Sequence, residues 1–133
     1  MTVYVDASAV LKIYLDEPET PVAQQILIGQ RWATGRHTYV EVRRNLARVL
    51  DGAPLEESRR RFASDWEHVD VIDVGAHVGE VAAALAERTG LRTLDALHLG
   101  AAESVGRSDA FVTFDRRLAA AARSLGWTVL PAE

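Results

Sequence analysis

The chain contains no cysteine. That excludes disulfide bonds, a thiolate nucleophile and cysteine-ligated zinc, and it fits a cytoplasmic location. No apolar run approaches the ~18 residues that a membrane helix needs, so no membrane association is expected. The first residues enter a strand pattern at once, with no basic stretch leading an apolar one, so no signal peptide is expected. A glycine-rich phosphate loop and a nucleophile-elbow serine are both missing. Lysine is nearly missing too, since Lys12 is the only one among 15 basic residues. Arginine suits phosphate contact through its planar fork, although genome composition accounts for the bias at least as well.

What is present fits an ordinary globule. The 133 residues suit a single domain, 1–133, long enough to bury a real core. Strand-like and helix-like stretches alternate. Strands are expected at Thr2–Val5, Trp32–Thr34, Val69–Val74, Ala110–Phe114 and Trp127–Leu130. Helices are expected at Ala7–Leu15, Pro21–Ile28, Thr38–Leu50, Pro54–Trp66, Ala76–Arg88, Leu94–Ser104 and Arg116–Leu125. Such alternation predicts a three-layer α/β/α fold with a central parallel sheet of four to five strands. Ligands of these sheets sit at the carboxyl ends of the strands.

Four acids stand at element junctions. Asp6 closes the strand VYVD, Asp115 closes AFVTFD, Asp95 opens the helix LDALHLGAAE, and Glu41 lies near the start of TYVEVRRNLARVL. Each has a local explanation. Aspartate is a favoured N-cap, negative charge suits the first turn of a helix, and Thr38 with Glu41 has capping-box spacing. A role in a shared pocket is compatible with all of these. Charge points to that pocket. There are 19 acidic and 15 basic residues, a net charge of −4, and setting the four acids aside leaves 15 against 15.

Clustered carboxylates repel. Two of them ~5 Å apart cost about 3 kcal/mol at an effective dielectric near 20, so the pocket calls for a cation. Magnesium takes oxygen ligands, and two such ions ~4 Å apart can activate water and stabilise the leaving oxygen of a phosphodiester. Zinc prefers nitrogen and sulfur. Thr113, on the strand face of Asp115, could orient that acid or a water, and Ser8 could do the same for Asp6. His98 shares a helical face with Asp95, as a neighbour of the site, an RNA contact or a buried structural residue. His37, His68 and His77 have no metal-ligand spacing. Arg43, Arg44 and Arg116 are the basic residues nearest the acids, and so the candidates to hold a phosphate backbone.

VDASA around Asp6, VEVRRNLARV after Glu41, LRTLDALHLGAA around Asp95 and VTFDRRLAAAA around Asp115 together resemble the PIN domain, and within it the VapC toxins of bacterial type II toxin–antitoxin modules. The resemblance runs from Thr2 to about Pro131, with LDALHLGAAE and VTFDRRL its most specific pieces. It implies a magnesium- or manganese-dependent ribonuclease, with Asp6, Glu41, Asp95 and Asp115 as the acidic quartet and Thr113 as the family's hydroxyl near the fourth acid. It also implies tRNA or ribosomal RNA as substrate, a VapB-type antitoxin as partner, and a homodimer. Alternatives of other classes are a non-catalytic module of the same fold, an RNA-processing ribonuclease that is not a toxin, and an aspartate-phosphorylated α/β domain. Against the last, a phosphatase would want an acid where Ser8 stands, and a receiver would want a late lysine.

Overall fold

The computed structural model describes residues 1–106 and 108–132. Along the chain run β1 (Thr2–Val5), α1 (Ala7–Tyr14), α2 (Thr20–Leu27), β2 (Arg31–Gly35), α3 (His37–Val49) and α4 (Gly52–Trp66). There follow β3 (Asp70–Ile72), α5 (Ala76–Thr89), α6 (Thr93–Ser104), β4 (Ala110–Val112), α7 (Arg116–Ser124) and β5 (Val129–Leu130). The strands form one sheet in the order β3-β2-β1-β4-β5, and every neighbouring pair is parallel.

Alternation along the strands divides the core. Val3, Val5, Ala110 and Val112 pack on one face against Val10, Leu27, Val42, Leu46 and Phe62, which come from α1 to α4. Tyr4, Phe111 and Val129 point the other way, against Leu85, Leu99 and Leu118 from α5 to α7. This period-two division follows from strand geometry, and it makes the three layers that the sequence pattern predicts. Sequence-based limits err mainly at the ends. The expected strand Val69–Val74 shortens to β3, and Trp127–Leu130 shortens to β5. Helix α4 begins at Gly52, ahead of the expected Pro54, because a proline in the first turn removes only an N–H that has no helical partner.

Strand order fixes where a site can form. From β1 the chain steps outward to β2 and β3, then crosses back to β4 on the opposite side and continues to β5. The reversal leaves a crevice at the carboxyl ends of β1 and β4, the usual binding place in open α/β sheets. Asp6 follows β1, and Thr113 to Asp115 follow β4. No helix among the described residues is long and apolar enough to cross a membrane.

Close approach of α5 and α6 depends on a missing side chain. A Cβ on Gly100 would come within 2.9 Å of the Ala82 Cβ and 3.0 Å of its backbone N and Cα. Gly100→Ala should therefore force these helices apart, at a cost of about 1–3 kcal/mol. Thermal unfolding should show a midpoint lower by roughly 3–10 °C, whereas an unchanged midpoint would mean that the helices separate freely.

Candidate functional site

Asp6 is the most enclosed of the acids, only 3% exposed. It caps α1, and its Oδ1 accepts from Ala9 N at 3.0 Å and from the Ser8 hydroxyl at 2.7 Å. Its Oδ2 accepts from the Thr113 hydroxyl at 2.6 Å. Burial pushes the Asp6 carboxyl above its ordinary range, against the opposing pull of His98 and of these hydrogen bonds. Thr113 was expected to orient Asp115, but the carboxylate it holds is that of Asp6. The strand ends at Val112, so the pleat no longer sets the direction of Thr113. Its link to Asp115 runs through the backbone, because Thr113 Oγ1 accepts from Asp115 N at 3.0 Å. Ser8 joins the same knot: its hydroxyl accepts from Phe114 N at 2.9 Å.

Asp115 caps α7, with Oδ1 accepting from Arg117 N at 2.9 Å and Leu118 N at 3.0 Å. Asp95 lies in the first turn of α6, half-buried. Its carboxyl is held above the ordinary range first by burial and then by repulsion from Asp115, Asp6 and Glu41, partly offset by His98. The four acids therefore share one electrostatic environment.

Glu41 reaches this environment differently from the expectation. The helix starts at His37, which puts Glu41 in the second turn, and no side chain caps it. The Thr38 hydroxyl is buried at 2.7 Å from that of Thr34, which in turn donates to Val5 O. No capping box forms, because Thr38 is spent on the strand below it. Glu41 is instead held by His98, whose Nε2 lies 2.8 Å from Glu41 Oε1. The His98 ring is buried, and its Nδ1 is 2.9 Å from the Tyr4 hydroxyl. That hydroxyl accepts from Gly35 N at 3.2 Å. Its single proton is then free for His98 Nδ1, which leaves Nε2–H to donate to Glu41.

His37, for which sequence spacing offered no ligand partner, stands beside this pair. Its Nε2 is 3.8 Å from Glu41 Oε1, and its ring centroid is 4.2 Å from that of His98. Burial first, and the neighbouring His98 second, lower its pKa to about 4, so the ring is neutral at physiological pH. The overlooked signal was the separation of His37 and Glu41, four residues apart on one helical face.

The arginines divide. Arg116 lines a cleft of about 600 Å³ with Thr113, Phe114 and Asp115. Arg43 and Arg44 lie in a separate shallow groove with Tyr39, Val40 and Arg59. Arg43 donates to the Tyr39 hydroxyl at 2.9 Å and sits over its ring. A cavity of about 280 Å³ near Ile13, Leu27 and Trp32 contains none of the four acids.

The PIN domain family profile matches residues 3–124. Ribonuclease VapC47 of Mycobacterium tuberculosis is 35% identical over 131 residues, covering 94% of this chain and 93% of its own. Ribonuclease VapC46 of the same species is 31% identical, covering 96% and 95%. Among solved structures, M. tuberculosis VapC20, described as a toxin that cleaves the sarcin-ricin loop, superposes with a TM-score of 0.75 at 17% identity, covering 95% of this chain and 96% of its own. A toxin–antitoxin complex from Klebsiella pneumoniae superposes with a TM-score of 0.75 at 17% identity, covering 98% of each chain. With its sheet order, its helical layers and these nearly full-length matches, the chain belongs to the PIN domain family, among the VapC proteins.

Proposed function

We propose that this chain is a metal-dependent endoribonuclease that serves as the toxin of a VapBC-type toxin–antitoxin pair. The observation that carries the reading is the setting of Asp95 at the sheet reversal, where burial first and then repulsion from Asp115, Asp6 and Glu41 hold its carboxyl above the ordinary range. The donor set is all oxygen, which suits a hard divalent cation, magnesium first and manganese as its substitute. When bound, such a cation supplies Lewis acidity toward the phosphate and a nucleophile from water. Similarity to the VapC ribonucleases supports the RNA substrate.

The chain's own residues prepare this chemistry. Ser8, Thr113 and the Ala9 amide fix both oxygens of Asp6 before any ligand arrives. Asp115 gives one oxygen to its helix and keeps the other for the site. Asp95, half-buried and repelled by its neighbours, gains most from an added positive charge. Thr113 acts as a positioning residue through Asp6. Arg116, beside Asp115 in the cleft, is placed to hold a phosphate of the strand being cut. Arg43 and Arg44, with the Tyr39 ring, extend the basic surface available to RNA.

A VapB-type antitoxin is the partner we propose, with tRNA or ribosomal RNA as the substrate class. We also propose one PIN unit over the chain, acting as a homodimer in the cytoplasm.

Asp95→Asn should lower RNA cleavage by at least ~100-fold, since losing a ligand costs no less than losing its outer-shell support. Expression of the unmodified chain alone should arrest growth, and the Asn variant should not. A variant that still cuts RNA would remove Asp95 from the site.

Magnesium or manganese should raise the unfolding midpoint over that in a chelator, because binding relieves repulsion only in the folded state. In chelator at neutral pH, Asp95→Asn should be the more stable protein, by about 1 kcal/mol after solvent screening, or roughly 3–5 °C. The sign follows from a folded pKa above the ordinary 3.8. Ionised Asp95 costs stability at high pH, and the cost fades as pH falls through the raised value. Below 3.8 the two proteins should melt alike, apart from other differences between the side chains. A gap that persists unchanged at low pH would point away from charge repulsion.

A further inference from the structure

We infer that His37, Glu41 and His98 form a second metal site, selective for a borderline divalent transition ion such as zinc rather than for the hard cation of the acid cluster. One ligand atom from each residue lies within 4.8 Å of the other two. Ligands of a tetrahedral zinc ion, bound at about 2.0–2.1 Å, stand about 3.4 Å apart. The two separations from Glu41 Oε1, 2.8 Å to His98 Nε2 and 3.8 Å to His37 Nε2, bracket that value. Small side-chain rotations would therefore close the site.

Two features of His37 point to a ligand. Neither buried ring nitrogen has a partner at good hydrogen-bond geometry, and the Leu94 backbone acts on the ring only as a looser acceptor. Buried polar atoms of this kind are rare and call for an occupant. The ring also rests on a cradle, because a Cβ on Gly35 would stand 2.5 Å from His37 Cε1 and 2.6 Å from its Nδ1. Gly35 leaves the space that the imidazole fills.

His98 already has the support that a coordinating imidazole needs. Metal-bound histidines donate their other N–H to a fixed acceptor, which orients the ring. The Tyr4 hydroxyl, 2.9 Å from His98 Nδ1, can be that acceptor. Binding requires a change of tautomer and a turn of the Tyr4 hydroxyl proton away from the ring: Nδ1 takes the proton and donates it to Tyr4 Oη, while Nε2 turns its lone pair to the ion. The hydrogen bond to Glu41 is exchanged for a shared metal. Two imidazoles and one carboxylate suit zinc and its neighbours, whereas magnesium disfavours nitrogen.

Glu41 belongs to both sites, so the two ions compete for it. That consequence, inhibition of RNA cleavage by zinc, rests on the ribonuclease reading, whereas the zinc site itself does not.

The test is calorimetric titration of zinc into tag-free protein held in excess magnesium, with cobalt absorption as a spectroscopic check. We expect one zinc per chain, held by His37, Glu41 and His98. His37→Ala should weaken it at least roughly tenfold, in the range seen for lost support of a metal ligand. It should also abolish the cobalt visible band. Circular dichroism of His37→Ala checks that the fold is intact, and His98→Gln gives a second reading. Asp95→Asn should bind zinc as the unmodified protein does. Equal zinc affinity in His37→Ala, or an equal loss in Asp95→Asn, would overturn the proposal. A protein that binds zinc but cleaves no RNA in magnesium alone would instead strike at the ribonuclease reading and leave the zinc site standing.

Discussion

The constraint on which this end of the molecule depends is the burial of the Asp6 carboxylate. Removing an ionised group from water is costly unless hydrogen bonds replace the lost hydration. Asp6 receives them from Ser8, Thr113 and the Ala9 amide. The same two hydroxyls accept backbone N–H groups of Phe114 and Asp115. Satisfying one buried charge thus ties the end of β1 to the segment after β4. These strands flank the sheet reversal, so the polar knot and the crevice are a single feature.

The remaining acids arrive from both helical layers. Glu41 comes from α3 on one side of the sheet and Asp95 from α6 on the other. His98, also on α6, holds Glu41 across this divide. Tyr4 anchors His98 from inside the sheet, stacked on Phe111 in the α5–α7 core. Packing of the core thereby fixes a carboxylate on the opposite layer, and the electrostatic balance of the crevice is set by apolar contacts some way from it.

Much of this was legible in the sequence. The run strand, aspartate, helix at Asp6 and again at Asp115 gives both the fold class and two acid positions, because a cap and a site residue want the same place. Asp95 was readable because negative charge suits the first turn of a helix, where it lies. What failed did so where contacts outside the helix pattern override it. The Thr38–Glu41 spacing suggests a local cap, yet Thr38 is claimed by Thr34 from a neighbouring strand. Thr113 seemed bound to the nearer acid in sequence, yet β4 ends before it and its hydroxyl turns to Asp6. His37 was passed over because its partner ring is His98, on another helix. That pairing leaves no mark on spacing, although His37 and Glu41 stand four residues apart on one helix.

The wide separation of the four acids along the chain also has a consequence for biosynthesis. A growing polypeptide folds from its N-terminal end as it leaves the ribosome, and parallel sheets must wait for distant strands. Strand β4 pairs directly with β1, so the first strand lacks one neighbour until nearly the whole fold has emerged. Asp6 gains its Thr113 partner only when Thr113 arrives, and no nascent fragment that stops short of Asp115 holds all four carboxylates. Connectivity thus delays assembly of the crevice until synthesis is nearly complete.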